Sequence, residues 1–457
     1  MSISPAEVSR ALEILGAGTS LDVLGEHADL LRFAESEITA QHSERRLRVR
    51  VRTTRNGRSV AGSLETLEPA AVQVLADRLN AALSDLPPLP PATGSAAGRG
   101  SRAQSGRAGV ASGPAGSVPG PAITPAASVL EADPAVRHRW FSTVRDGLDS
   151  STTLGGAIRH DVLDRVVADS DGLIRAETLT KASIQAIAKK DGRSVSVRLM
   201  DRDADRIPVD EIPVRLRSAL SPLPMREAHH GTCRVLLKPQ AVITLMATYG
   251  HFVLGATGYE TGRSAVAGRL GEPVVSELLS LVDDGADEAG LPSGFDAEGN
   301  VRRRTQLIAH GVLTGVVSDR RRAKVTGGVP TGHAVPDGWR FGGDPSPSNL
   351  LLAPGDSTDE ELLADCASGL VVNRLDYLRS LHPKQTLVTG TTRDATYWAE
   401  SGEHVAWHPQ VRFTFRMDEV LNAVLAVGNA RECGDTTFMD SVVVPSLLID
   451  AGPLVVP

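Results

Sequence analysis

The chain has 457 residues, 41% of them apolar and 23% charged, with a formal net charge of −7 and 44 glycines against only 4% aromatics. Such values describe a globular chain with room for two or more domains, built mainly on backbone and aliphatic packing, and they exclude a disordered one. The acidic balance, with no sustained Lys/Arg run interleaved with aromatics, argues against nucleic acid as a direct ligand. No apolar run approaches the roughly 18 to 20 residues that span a bilayer.

The N-terminal MSISPAEVSRALEILG predicts a helix, with Ser4 as cap, Pro5 at the first helical position, Glu7 closing a capping box and Gly16 ending it. It has no basic stretch leading into an apolar one, so no export signal is read there. Strands follow, most clearly over Arg46 to Arg52, where Leu47, Val49 and Val51 alternate with arginines and Asn56-Gly57 supplies a hairpin turn. An arginine at every second position marks a solvated or interface face of the strand. A helix is expected from about Glu68, with Val72, Leu75 and Leu79 on one side.

Residues 87–129 are dominated by Pro, Gly, Ala and Ser, a composition unable to bury enough apolar surface to offset its ordering entropy, and predict a flexible insertion. A helix around Pro134 to Gly147, strands turning at Asp171-Gly172 and Asp191-Gly192, and a helix near Pro208 to Leu220 complete the first half. The expected division is therefore an N-terminal α+β domain with antiparallel sheet, residues 1–86 and 130–228, and a C-terminal domain, 229–457, mainly β with a few helices. In that second half, CRVLLKPQAVITLM reads as a strand and then a helix. A second helical pattern spans Pro273 to Leu281, and Thr358 to Ser368 is a helix with Ser357 as cap.

Chemical motifs are sparse. Cys233, Cys366 and Cys433 are far apart and form no CxxC pair, which fits a reducing compartment, and a cytoplasmic location is expected. Cys433 has Glu432 and Asp435 nearby, and acidic neighbours raise a thiol pKa. His229 and His230 are adjacent and so face apart on a helix or strand. No GxSxG elbow, GxGxxG run or P-loop is present. In LMATYGHFVLGATGYETG, residues 245–262, His251 stands among small and apolar residues. An HExxxH zinc helix would require a histidine and a glutamate at the places of Met246 and Ala247. One imidazole cannot hold zinc, so His251 reads as a structural or groove-lining residue and no metal ligand is assigned.

Several stretches together resemble the TldD/PmbA family, whose PmbA branch is also called TldE: LLRFAESEIT with RLRVRVRTTRNGRSVAG, then GFDAEGNVRRRTQLIAHGVLTG, TGHAVPDGWRFGG at 331–343, SGLVVNRL at 368–375 and VGNARECGDTTFMDSVVVPSLLI at 427–449. The resemblance implies a heterodimer in which a TldD-like subunit carries an HExxxH zinc helix and a late cysteine ligand, while the TldE-like subunit has lost both. It implies hydrolysis of peptide or small amide substrates by zinc-bound water in the partner. In this chain the zinc-helix window is LMATYGHF, and Cys433 precedes a sequence unlike the one that follows the TldD cysteine. The expectation is a metal-free subunit with no catalytic residue and no cofactor of its own, zinc lying in the partner. Gly250, His251, Gly255, Gly258, Thr331, Gly332, His333 and Trp339 are the positions marked as groove or partner-facing. GTTRDATYWAESGE at 390–403 and the 87–129 insertion depart from the family pattern and suit a specialised paralogue, such as one acting in natural-product maturation. The alternatives are a stand-alone hydrolase built on His251, His333 or Cys433, and a regulatory or binding protein of the DNA gyrase modulator type.

Overall fold

The computed structural model describes residues 3–87, 122–326, 328–336, 343–437, 439–450, 452 and 454–456. Trp339 and residues 88–121 of the expected insertion lie outside the described residues. The end of that insertion is held in place: Ala126 N–H donates to Thr180 Oγ1 at 3.0 Å, and Val129 is 3% exposed.

The first helix, α1, spans Pro5–Leu15 and buries Val8, Ala11, Leu12 and Leu15, the i, i+3, i+4, i+7 stripe of an amphipathic helix. Gly16, at φ +79°, ends it as expected, but Ser4 makes no side-chain cap bond, so the expected capping box does not form. Three strands follow, β1 (Thr19–Ala34), β2 (Glu37–Arg55) and β3 (Arg58–Leu64), and then α2 (Pro69–Asp85). Next come α3 (Ala127–Leu130), α4 (Pro134–Asp146), β4 (Thr153–Asp169), β5 (Ile174–Lys190), β6 (Arg193–Asp201) and α5 (Glu211–Ala219). The six strands form one antiparallel sheet in the order β3-β2-β1-β4-β5-β6. Asn56-Gly57 and Asp191-Gly192 each place two successive residues at positive φ, the backbone of a tight hairpin turn.

Register divides this sheet into two unlike faces. Leu21 opposite Ala168, Val23 opposite Val166 and Leu31 opposite Ile158 point to one side. That side is sealed by α1 and α2 at one end and by Phe141 and Val144 of α4 at the other. The other side carries Asp22, Glu26, Arg48, Arg50, Arg159 and Arg165 in a lattice of ion pairs, among them Arg165 to Asp22 at 3.1 Å and Arg159 to Glu26 at 2.8 Å. The arginine alternation of β2 is thus one row of a charged face, and much of that face meets the second half of the chain. Arg165 donates to Phe295 O at 3.1 Å, Glu177 accepts from Ser293 Oγ and Gly294 N–H at 2.8 and 2.7 Å, and Lys181 and Arg198 both pair with Asp435.

The second half builds β7 (Gly231–Thr232), β8 (Arg234–Leu237), α6 (Pro239–Val253), α7 (Ala256–Glu260), β9 (Leu281–Asp283), β10 (Thr305–Ala309), β11 (Val312–Leu313), α8 (Arg320–Thr326), β12 (Asn349–Leu352) and α9 (Asp359–Asp365). It continues with β13 (Ser368–His382), β14 (Leu387–Glu400), β15 (Glu403–Trp407), β16 (Arg412–Arg416), α10 (Met417–Asn422), β17 (Val424–Gly434), β18 (Ser441–Ile449) and β19 (Val455–Val456). An 11-stranded mixed sheet runs β11-β10-β9-β12-β18-β8-β13-β14-β15, with β16 on β14 and β17 on β18. Within it β12 with β18 and β8 with β13 pair in parallel. The architecture is the expected α+β, antiparallel sheet first and mainly β with a few helices after.

Two expected helices differ. Pro273 to Leu281 is irregular, with a turn at Glu277-Leu278: Val274, Val275, Leu279 and Leu281 are buried as helical spacing implied, yet the segment's backbone bonds across the fold. Ser276 N–H reaches Leu421 O at 3.1 Å, and Gly311 N–H reaches Leu279 O at 2.9 Å. Apolar spacing over so short a run does not distinguish helix from buried irregular chain. Helix α9 is shorter than expected and is capped by Thr358, not Ser357. Thr358 and Glu361 form the reciprocal capping box.

Candidate functional site

Helix α6 is apolar on nearly all sides, with Ala241 to Gly250 buried apart from Thr244, and it lies in the core against the 11-stranded sheet. Met246 and Ala247 are 2% and 0% exposed among Val, Leu and Ile side chains. His251, half-buried, stands edge-on to Phe252 with ring centroids 4.9 Å apart, and burial lowers its pKa below the ordinary histidine value.

The zinc of the family motif does not fit this donor set. A catalytic zinc takes about three protein ligands, and the helix offers one imidazole, with a thioether and a methyl at the other two motif positions. Cys433 lies on β17, part-buried beside Ser441 Oγ at 3.8 Å, its thiol pushed up to about 12 by burial. Acidic neighbours, the cause expected from sequence, contribute less than burial does. Among the described residues no group of three or more His, Cys, Asp or Glu side chains could hold a metal ion. His229 and His230 line an open pocket with Arg226, His229 tilted against Trp398 at 4.7 Å, and do not converge as ligands.

The glycines in the last turn of α6 and after it make close approaches within the chain. A Cβ on Gly250 would lie 2.9 Å from Met439 Cε, and one on Gly255 would lie 2.5 Å from Pro345 O. Gly258 faces Ser264, whose hydroxyl donates to Val253 O at 2.7 Å. Gly332 and His333 lie inside the fold and Thr331 is half-buried. Gly332 sits at φ +83° against Val301 O, and Thr331 Oγ1 accepts from Ser318 N–H at 2.6 Å. His333 Nε2 meets Asp283 Oδ1 at 2.7 Å with both side chains 0% exposed, while Asp283 Oδ2 accepts from Ser348 and Asn349 N–H. His333 is therefore a packing and pairing residue, shut away from solvent.

A cavity of about 420 Å³ opens where the charged face of β1, β2 and β4 does not close on the second half of the chain. Its far wall is Thr257 of α7, Ala297-Glu298, Asp319 with the first turn of α8, Ala334 to Pro336, and Gly343-Asp344. It thus adjoins the end of the α6–α7 hairpin, and Asp344 acts electrostatically on His251. Burial pushes the Glu298 carboxyl above the usual carboxylate range, helped by Asp296 and Asp319. Sequence reasoning did not reach this cavity. Its only trace there was the arginine row on β2, because the opposite wall comes from segments more than 200 positions later.

The chain matches known proteins by sequence over part of its length and by fold over nearly all of it. Residues 230–452 match the family model described as the PmbA/TldA metallopeptidase C-terminal domain. A metalloprotease of Methanothermobacter thermautotrophicus is 34% identical over 138 residues, 28% of this chain and 30% of its own. A metalloprotease TldD homolog of Haemophilus influenzae is 31% identical over 108 residues, 23% of this chain and 22% of its own. These matches cover half or less of the curated relatives' lengths. The solved structure of TldE from Thermococcus kodakarensis superposes with a TM-score of 0.82 over 98% of this chain and 99% of that one, at 18% identity, a likeness of fold. The sequence match to the PmbA/TldA metallopeptidase C-terminal domain thus covers the second half of the chain, and the fold of the whole chain is that of the solved TldE.

Proposed function

We propose that this chain is the metal-free, TldE-like subunit of a heterodimeric zinc peptidase, completing an internal cavity and positioning a peptide or small amide for hydrolysis by a zinc-bound water in a TldD-like partner. One observation carries the reading: Met246 and Ala247 occupy the zinc-helix positions and are sealed in an apolar core, so the helix is kept as architecture with a single imidazole left at its end. The whole-chain likeness to a TldE fold and the metalloprotease names of the sequence relatives support it. The protein acts in the cytoplasm, and the departures at 390–403 and the 87–129 insertion favour a role in natural-product maturation. Residues 229–457 form the family's C-terminal unit and 1–86 with 130–228 its N-terminal one. Among the described residues no helix is long and apolar enough to cross a membrane.

The test is to purify the chain alone and co-expressed with a TldD-like chain, then measure native mass, zinc content and chelator-sensitive peptide hydrolysis. The expected result is a one-to-one complex with zinc and activity in the complex only. Stoichiometric zinc, or chelator-sensitive hydrolysis, in this chain alone would sink the proposal.

A further inference from the structure

The lining of the 420 Å³ cavity counts five arginines, at 50, 52, 320, 321 and 322, against five carboxylates. The carboxylates are already engaged inside the fold. Asp22 pairs with Arg165, a residue outside the lining, and more distantly with Arg50 at 3.7 Å. Asp169 accepts from Asp171 and Leu173 N–H, Glu298 from Arg320 N–H, and Asp319 from Arg322 N–H, while Asp344 lies 3.5 Å from Arg263. Three of the arginines are also engaged: Arg320 with Asn300, Arg322 with Glu260, and Arg52. Arg321 is exposed and has no ion-pair partner among the described residues. Arg50 is crowded by Arg48 and Arg165; burial and these like charges lower its pKa despite Asp22. The cavity therefore presents two guanidinium groups, Arg50, which shares Asp22 with the closer Arg165, and Arg321, without a close carboxylate partner of its own among the described residues.

We propose that this cavity is a binding site for a peptide-like ligand bearing a carboxylate, which Arg50 and Arg321 receive. A guanidinium presents two parallel N–H donors that match the two oxygens of a carboxylate, and the match strengthens as the pair leaves bulk water. A volume of about 420 Å³ holds a short peptide segment and is within the range of small-ligand pockets. The inference rests on the amide-substrate reading above and adds to it where the substrate's charge is held.

The test uses calorimetric titration of the full chain with three probes: acetyl-tetra-alanine as free acid, the same peptide as its C-terminal amide, and an amidated acetyl-peptide carrying one glutamate. Binding of the free acid about tenfold tighter than the amide, lost on raising salt, is the expected result and assigns a chain-terminal carboxylate. Preference for the glutamate peptide instead also supports the site and assigns a side-chain carboxylate. Arg321→Gln, at an exposed position outside the core, is expected to erase most of that preference, and Arg50→Gln is expected to do the same. Equal binding of all three probes, or acid preference intact in both variants, overturns the proposal. Equal binding alongside hydrolysis by the co-expressed complex removes the carboxylate site and leaves the amidase reading. Acid preference with no hydrolysis by that complex does the reverse.

Discussion

Separating Asp283 from His333 is the most informative perturbation of the fold. Both side chains are 0% exposed and their contact is 2.7 Å, with Asp283 also accepting from Ser348 and Asn349 N–H, so its carboxylate joins β9 to the chain entering β12. Burial alone would raise the Asp283 pKa, but His333, Arg302 and the backbone donors outweigh it and hold the carboxyl below its ordinary value. Removing one partner of such a pair leaves the other desolvated and uncompensated, a cost of about 3 to 5 kcal/mol. His333→Ala and Asp283→Ala are each expected in that range, while the double substitution is expected to cost less than their sum by about 2 kcal/mol or more. The sign with pH follows from the lowered carboxyl: its contribution is present above the unfolded-state value near 3.8 and is lost as pH falls through the lower folded value. Urea unfolding of the four proteins at neutral pH and below pH 4 checks both. Additive losses at neutral pH would refute the coupling.

A second titration runs at higher pH. Burial, with Arg137 beside it, lowers the His160 pKa from 6.5 to about 4, so the unfolded chain takes up a proton before the folded one. Stability should be full above about pH 6.5 and fall by on the order of 3 kcal/mol between 6.5 and 4. In His160→Phe this fall should be absent, as read by denaturation midpoint against pH. Cys433, its thiol pushed up to about 12, should react with a disulfide reagent at neutral pH only on unfolding. Prompt labelling of the native chain would show that the thiol is neither buried nor protonated as described.

Local chemistry was read well where a short stretch decides it. Asn56-Gly57 and Asp191-Gly192 turn because both residues tolerate positive φ, and the alternation through Val49 and Val51 places a strand because side chains change face at each residue. The residues at the family's zinc-helix positions were equally legible, since Met246 and Ala247 stand where the motif has a histidine and a glutamate. Pro273 to Leu281 was misread because its apolar spacing is satisfied by hydrogen bonds to Gly311 and Leu421, which no local pattern announces. His333 and Thr331 carried a family resemblance but no sign that Asp283 and Ser318 would enclose them. The cavity is the extreme case: Arg50 and Arg321 are 271 positions apart and line one cavity from opposite walls only because the charged face of one sheet meets α8 and the loops of the second half. The sequence by itself determined turns, strand faces and which residues stand at the zinc-helix positions, since these follow from residue chemistry at fixed short spacing. Which charges remain uncompensated was decided only by tertiary structure, because that depends on which distant groups the fold brings within a few ångströms.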